Sequence, residues 1–451
     1  MFTPVCLGLV LITATPVWSQ LTAIPYETPT TPADETRMQI PPPMSGTAYP
    51  TMVGSEMHSN YLAVGLVLNT AYADNVVVDG SAGPISDFIY SILPTIALDK
   101  NTPRQLLSLT YSPGFTLYQR TSGLDAATQS VALIAGYRLS QHADITVSDS
   151  FQKSSSAFDQ LSSSSGNGIS GSTQIPSAEV VAPYANRLSN TVNVGLSYQF
   201  AKNAMIGAGG NFTQSSYPNP AQAVGLYNSN LGGGSVFYNY RFSSSQYIGA
   251  TYQYSRNRED PVSAQSPENT QTKIQTHTLL ASYTVYLNPK FSFSLSCGPQ
   301  YYDATQSSLA PARSWTPSAT ASIGWQRNNT NFVASYSRGI GGDIGLSGVY
   351  NSYGVNTSAR WRITRTWNLG VSASFFSNKN LTPLLDSSSP GGHTVSGAAS
   401  VQHSLSDHFS AEVGYARIHQ NYSGVGVISD TPDNNQETIT ISYRLARPLG
   451  R

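Results

Sequence analysis

Charge is scarce in this chain. Of 451 residues only 11% are Asp, Glu, Lys or Arg, where soluble domains run at about 25%. The 24 cations and 24 carboxylates balance, so no basic stripe marks the chain for nucleic acid. Long apolar runs are missing as well. None reaches the roughly 20 residues that a membrane-crossing helix requires. Cysteine is limited to Cys6 and Cys297. Cys6 lies in a segment read below as a signal peptide, which leaves Cys297 alone and excludes a disulfide framework. Between Ser296 and Gly298, Cys297 reads as a small hydrophobe. The seven histidines, His58, His142, His277, His393, His403, His408 and His419, fall in no His-Glu-x-x-His or Gly-x-Ser-x-Gly setting. No metal cluster or phosphate-cradling glycine loop is legible. The chain therefore reads as non-enzymatic, with no cofactor.

What is present is alternation. In Thr191-Val-Asn-Val-Gly-Leu-Ser-Tyr-Gln-Phe200 the even positions are apolar and the odd ones small or polar. Successive strand side chains point to opposite faces, so this is a strand with one greasy and one wet side. After Ala201-Lys202-Asn203 the alternation resumes at Ile206, Ala208, Gly210 and Phe212, a hairpin. Variants recur from Tyr61–Ala73 to Glu437–Leu445, giving about 18 strands, an even number as transmembrane barrels require. The first three, Tyr61–Ala73, Asp87–Asp99 and Arg104–Tyr118, are interrupted by Pro94 and Pro113. Proline inside a paired strand implies a bulge or a non-strand, so 16 is the competing count. With no apolar helix available, only a closed barrel could cross a membrane without stranding backbone polar groups.

The N-terminal part differs. Val5 to Ala14 is a short apolar core, and Val17-Trp18-Ser19 suits cleavage before Gln20. Residues 1–19 thus read as a signal peptide, although no Lys or Arg precedes the apolar core. Residues 20–59 carry Pro25, Pro29, Pro32, Pro41, Pro42, Pro43 and Pro50 and read as an extended leader. Residues 60–445 form the barrel and 446–451 a tail.

The connections are sorted by length. Gln141-His142, Ala201-Lys202-Asn203, Asn288-Pro289-Lys290 and Ser406-Asp407 are short; Ser154–Asn186, Pro218–Gly233 and Asn421–Gln436 are long and polar. Strict alternation of short and long is the habit of outer-membrane barrels. At the short-turn end, strands close on an aromatic, one residue of the wet parity, then an apolar residue: Tyr137-Arg138-Leu139, Tyr198-Gln199-Phe200, Tyr240-Arg241-Phe242, Trp361-Arg362-Ile363 and Tyr443-Arg444-Leu445, with Trp325-Gln326 a partial copy. A spacing of roughly 40 residues also suits propeller blades, but a blade needs four strands in that span and here there are two. The aromatics read as an interfacial girdle.

On these features the chain resembles bacterial outer-membrane β-barrels of the porin-like kind, over about Tyr61 to Leu445. The resemblance implies an all-β, antiparallel up-and-down transmembrane barrel in the outer membrane. It also implies outer-membrane lipid, lipopolysaccharide and the barrel-assembly machinery as partners, and self-association, since trimers are common in the class. The last strand, Thr438-Ile-Thr-Ile-Ser-Tyr-Arg-Leu445, looks like the terminal strand offered to that machinery, but the chain continues beyond it. A barrel this wide leaves an aqueous channel, so passage of small polar solutes is the leading expectation. Arg138, Arg241, Arg360, Arg362 and Arg444, with Gln199, Gln326 and Glu412, are the candidate pore-lining residues. A ring of Arg favours anions, unless the arginines pair with Asp144, Glu412 or turn groups. Ser154–Asn186 is a candidate constriction. A receptor, adhesin or saccharide conduit is the alternative, with Tyr217, Tyr227, Tyr301, Tyr302 and Tyr422 available to stack on sugars.

Overall fold

The structure is a computed structural model. It describes residues 60–77, 85–154, 186–223, 225–262, 271–288, 290–306, 311–327, 329–341, 346, 348–381, 391–422 and 433–449. The segments read as a signal peptide and a leader, and nearly all of the Ser154–Asn186 stretch, lie outside the described residues.

Eighteen strands follow one another: β1 Tyr61–Val77, β2 Ile85–Asn101, β3 Gln105–Tyr118, β4 Ala126–Arg138, β5 Ala143–Ser154, β6 Arg187–Ala201, β7 Ala204–Ser216, β8 Tyr227–Ser243 and β9 Gln246–Pro261. The second half is β10 Thr272–Asn288, β11 Phe291–Gln306, β12 Ala312–Arg327, β13 Thr330–Gly341, β14 Tyr350–Arg362, β15 Trp367–Asn380, β16 Gly392–Ser404, β17 Phe409–Tyr422 and β18 Asp433–Pro448. Each pairs antiparallel with its sequence neighbours, and β1 pairs with both β2 and β18, so the sheet closes with no free edge. The closing seam runs from Tyr61↔Pro448 to Ala73↔Gln436. It takes in Ala446, Arg447 and Pro448, which the sequence reading left to a tail. The count is 18 and not 16.

The prolines explain why the count was in doubt. The β2–β3 ladder pairs Ile92 with Phe115 and resumes at Ile96 with Tyr111 in the same register. Pro94 and Pro113 therefore stand opposite one another in the gap. Each lacks an N–H, and placing the two together confines the break to one interval of a single ladder. There is no bulge. Pro299 and Pro317 form a second such pair across β11 and β12.

Parity decides which side is oily. On β1, Leu62, Val64, Leu66 and Leu68 point outward and are exposed, as are Val194, Leu196, Tyr198 and Phe200 on β6. The inner parity carries hydroxyls and amides that satisfy one another across strands. Thr284 and Ser294 Oγ atoms lie 2.9 Å apart, Ser255 and Thr276 2.6 Å, Ser91 and Thr116 3.1 Å, and Thr440 donates to Asn69 Oδ1 at 3.0 Å. The Ser, Thr and Asn that displace charge in the composition are thus wall residues of the lumen. At the short-turn end, Trp325 faces Phe291 and Phe332 on its two neighbours, and Phe409 packs on Tyr443 with ring centroids 4.8 Å apart. Cys297 is a free, outward, exposed thiol.

The two faces predict different tolerances. Val355→Lys puts a charge on the oily face and should cost about 2–4 kcal/mol in folding into vesicles. Asn356→Lys, one residue on and facing the lumen, should cost under about 1 kcal/mol. Denaturant titrations of the two variants in the same vesicles test this; equal costs would contradict the assignment of faces.

Candidate functional site

All five candidate arginines, the four of the sequence motif and Arg360, fall on the inner parity at the short-turn end, on β4, β8, β14 and β18. Three of them make the following contacts. Arg138 Nε lies 3.9 Å from Asp144 Oδ1, its cross-strand neighbour. Arg241 Nη2 donates to Lys202 O and Asn203 Oδ1, both at 3.2 Å, and so is bound to the β6–β7 turn. Arg360 Nη2 donates to Gln402 Oε1 at 3.3 Å and interacts electrostatically with Glu412. That reach crosses β15 at Gly370, which lies in register with both Arg360 and Ser400. Arg362 shares the face of Arg360, and Arg444 lies exposed beside Gly65 of β1. Gln199 is buried and donates to Lys202 O at 3.2 Å, and Gln326 is exposed at the mouth.

Charge is segregated along the barrel. The short-turn ends of the strands and their turns carry twelve cations: Lys100, Arg104, Arg138, Lys202, Arg241, Lys290, Arg327, Arg360, Arg362, Arg365, Arg444 and Arg447. Against them stand four carboxylates, Asp99, Asp144, Asp407 and Glu412. The remainder of the described chain is nearly even, with ten cations and nine carboxylates. A zero net charge thus conceals one cationic rim, and a mouth walled by low-dielectric material focuses such a field.

The long-loop end is built differently. Tyr217, Ala223 and Leu226 from the β7–β8 connection pack with Leu346 from the β13–β14 connection, with Tyr350 at the start of β14 and with Tyr422 of β17. These strands are not neighbours in the ring, so the cluster bridges the interior. A second cluster continues it, with Ile274, Tyr302, Ala304, Ile340 and Val349. The inward course starts where β13 leaves β12. The β12–β13 ladder stops at Ala319↔Arg338, while β13 still pairs with β14 up to Gly341. Gln300 of β11 accepts the freed Ile340 N–H at 2.7 Å. Further along, Gly348 adopts φ 122°, a region that side chains avoid, and its N–H donates to Glu259 Oε2 at 3.1 Å. Asn257 donates to the other oxygen of Glu259 at 3.0 Å. Glu259 is 1% exposed; one carboxylate of β9 therefore holds a loop that rises four strands away. Tyr422 is held in turn by Asn378 Nδ2 at 2.9 Å.

This cap was not legible in the sequence, which pointed to Ser154–Asn186 as the constriction. The signal that could have found it is Tyr350 with the apolar Leu346 and Val349 in an otherwise polar connection, beside Gly341-Gly342. Of the tyrosines read as a sugar platform, Tyr217, Tyr302 and Tyr422 are buried, Tyr301 points outward against Trp315 with centroids 5.2 Å apart, and Tyr227 is half-buried at the start of β8. The described histidines are not members of the cap clusters, and His393 and His419 adjoin each other on the outward parity with centroids 5.7 Å apart. His142 and His408 occupy short turns, His403 stacks on Trp367 at 4.2 Å, and His277 bonds the Tyr252 hydroxyl at 2.8 Å.

The chain is a closed, 18-stranded antiparallel barrel of the kind found in bacterial outer membranes. No family model and no curated protein matches its sequence. Among solved structures it is similar to OccAB4 of Acinetobacter baumannii, at 10% identity and TM-score 0.40, over 87% of this chain and 99% of that one. It is also similar to OccK2 (OpdF) of Pseudomonas aeruginosa, at 10% identity and TM-score 0.43, over 86% and 98%. The ferric-catecholate import receptor Fiu of E. coli K12 aligns at 8% identity and TM-score 0.44, over 86% and 82%. The class rests on this chain's own seam, strand count and outward apolar face.

The Glu259 contact generates a test. Glu259→Ala removes a charge-assisted bond of about 1.5–3 kcal/mol from Gly348, the anchor beside Val349 and Tyr350 of the cap. A nitroxide attached at Leu346→Cys, in a chain whose Cys6 and Cys297 are replaced by Ser, should change from immobilised to mobile when Glu259→Ala is added. A spectrum unchanged by the Glu259 substitution would show that this carboxylate does not hold the loop.

Proposed function

We propose that the protein is an outer-membrane channel for small polar solutes, with its short turns in the periplasm, a preference for anions, and a cap at the external mouth. The observation that carries this reading is the pairing of a hydroxyl- and amide-lined interior with a rim of twelve cations to four carboxylates. Polar walls let hydrated solutes pass without desolvation, and a cationic mouth raises the local concentration of anions. The cap supports a pore whose opening is set by loop position. Such movements of a loop held by a few contacts fall in the microsecond to second range.

The cap also favours a second reading, a receptor. Tyr217, Tyr350 and Tyr422 close on one another, and a ligand that replaced those contacts would open the mouth. Ligand-dependent conductance separates the two readings.

Single-channel recording of refolded protein in a planar bilayer is the experiment. The channel reading expects stepwise conductance without added ligand and an anion-to-cation permeability ratio above one. Replacing Arg138, Arg241 and Arg444 together with Ser should lower that ratio severalfold, since a ring of Arg is what selects anions. A silent barrel that conducts only with a saccharide or chelate present would support the receptor. An unaltered ratio in the triple variant would remove these arginines from selectivity.

A further inference from the structure

A pocket of about 450 Å³ lies at the short-turn edge of the outer surface, lined by Lys290, Arg327, Asn329, Thr330 and Trp361. Its walls come from three successive turns and strand ends, β10–β11, β12–β13 and β14. Trp361 belongs to the outward parity of β14 and is half exposed; Thr330 stands in register with both Trp361 and Arg327. The turns are laced together by their backbones. Gln326 N–H donates to Lys290 O, and Arg362 N–H to Asn329 O, both at 2.7 Å. The two cations therefore project from a fixed frame. Among the described residues, no carboxylate lines the pocket. Directly toward the middle of the barrel wall runs the cross-strand row Phe291, Trp325 and Phe332.

We propose that this pocket seats the phosphate headgroup of an anionic phospholipid from the leaflet facing the short turns. The charge chooses the ligand class: two cations, an amide and a hydroxyl offer donors to phosphate oxygens, and Arg matches their geometry in pairs. The place chooses the source. The pocket opens where the oily face meets water, so an occupant that carries acyl chains can lay them along Phe291, Trp325 and Phe332. An indole at that depth is a customary interfacial anchor. Basic pockets at membrane edges bind anionic headgroups, with each Lys or Arg worth about 1 kcal/mol, or roughly fivefold. The inference uses the two-faced wall of the barrel and does not depend on the channel reading.

The test is native mass spectrometry of the full chain released from vesicles of mixed phosphatidylglycerol and phosphatidylethanolamine. The wild type should retain phosphatidylglycerol roughly tenfold or more above the Lys290→Gln/Arg327→Gln variant. A second variant, Lys100→Gln/Arg104→Gln, removes as much rim charge elsewhere and should retain lipid as the wild type does. Should the first double variant not fold, Arg327→Gln alone serves, with a loss of about fivefold. Equal retention by wild type and the pocket variant, or equal loss in both double variants, overturns the proposal. Inorganic phosphate that binds the lipid-free protein as tightly as lipid does would also overturn it, because the site would then take a free anion.

Discussion

The structure depends on the cost of leaving backbone groups unpaired in hydrocarbon. Each unpaired N–H or C=O there costs several kcal/mol, and an 18-stranded sheet left open would strand a whole edge of them. The seam between β1 and β18 removes that edge along its length from Tyr61 to Ala73. The same cost accounts for the paired prolines. Pro94 opposite Pro113, and Pro299 opposite Pro317, put two residues without N–H groups on adjacent strands at one level; around the first pair the β1–β2 and β3–β4 ladders stay continuous. It also accounts for the low charge. A wall with lipid on one side and hydroxyls and amides on the other has few places for an ion.

Charge appears instead where the wall ends, and its distribution gives the molecule a direction. The cationic rim lies at the short turns, while the opposite mouth is crossed by an apolar cap. The two ends are built by different means. Rim residues belong to strand ends and tight turns, so their positions follow from register. Cap residues come from two long connections and the strand ends they pack on, joined by particular contacts, the Glu259 carboxylate on Gly348 N–H and the Gln300 amide on Ile340 N–H. A mouth held by a few bonds can change state at a cost of a few kcal/mol, whereas the ring beneath it cannot, because any strand that moved would break two ladders.

Much of the fold was legible because period-two alternation and turn length are local signals. Strands such as Arg187–Ala201 and Gln246–Pro261 start where the alternation starts, and the inner placement of Arg138, Arg241 and Arg444 follows from parity alone. Extents at the long-loop end were less legible. β8 begins at Tyr227, well inside the stretch read as the Pro218–Gly233 connection, and β9 runs on to Pro261. The Gly232-Gly233-Gly234 run of β8 and the charged Arg258-Glu259-Asp260 of β9 interrupt the alternation without ending the ladder. The cap was illegible for a different reason. Contacts between Tyr217, Leu346 and Tyr422 join segments more than a hundred residues apart in one case and about seventy in another, and no local pattern announces them.

The central claim is that one side of every strand meets acyl chains and the other meets water. The native thiol offers the most direct measurement. Cys297 faces outward and Ser296, its neighbour, faces the lumen. With Cys6 replaced by Ser, an environment-sensitive fluorophore at Cys297 should be quenched by brominated lipid and shielded from aqueous iodide. Moved to position 296, by Ser296→Cys in a chain with Cys297→Ser, the same fluorophore should escape brominated lipid. Equal quenching by brominated lipid at the two adjacent positions, or none at Cys297, would contradict the account.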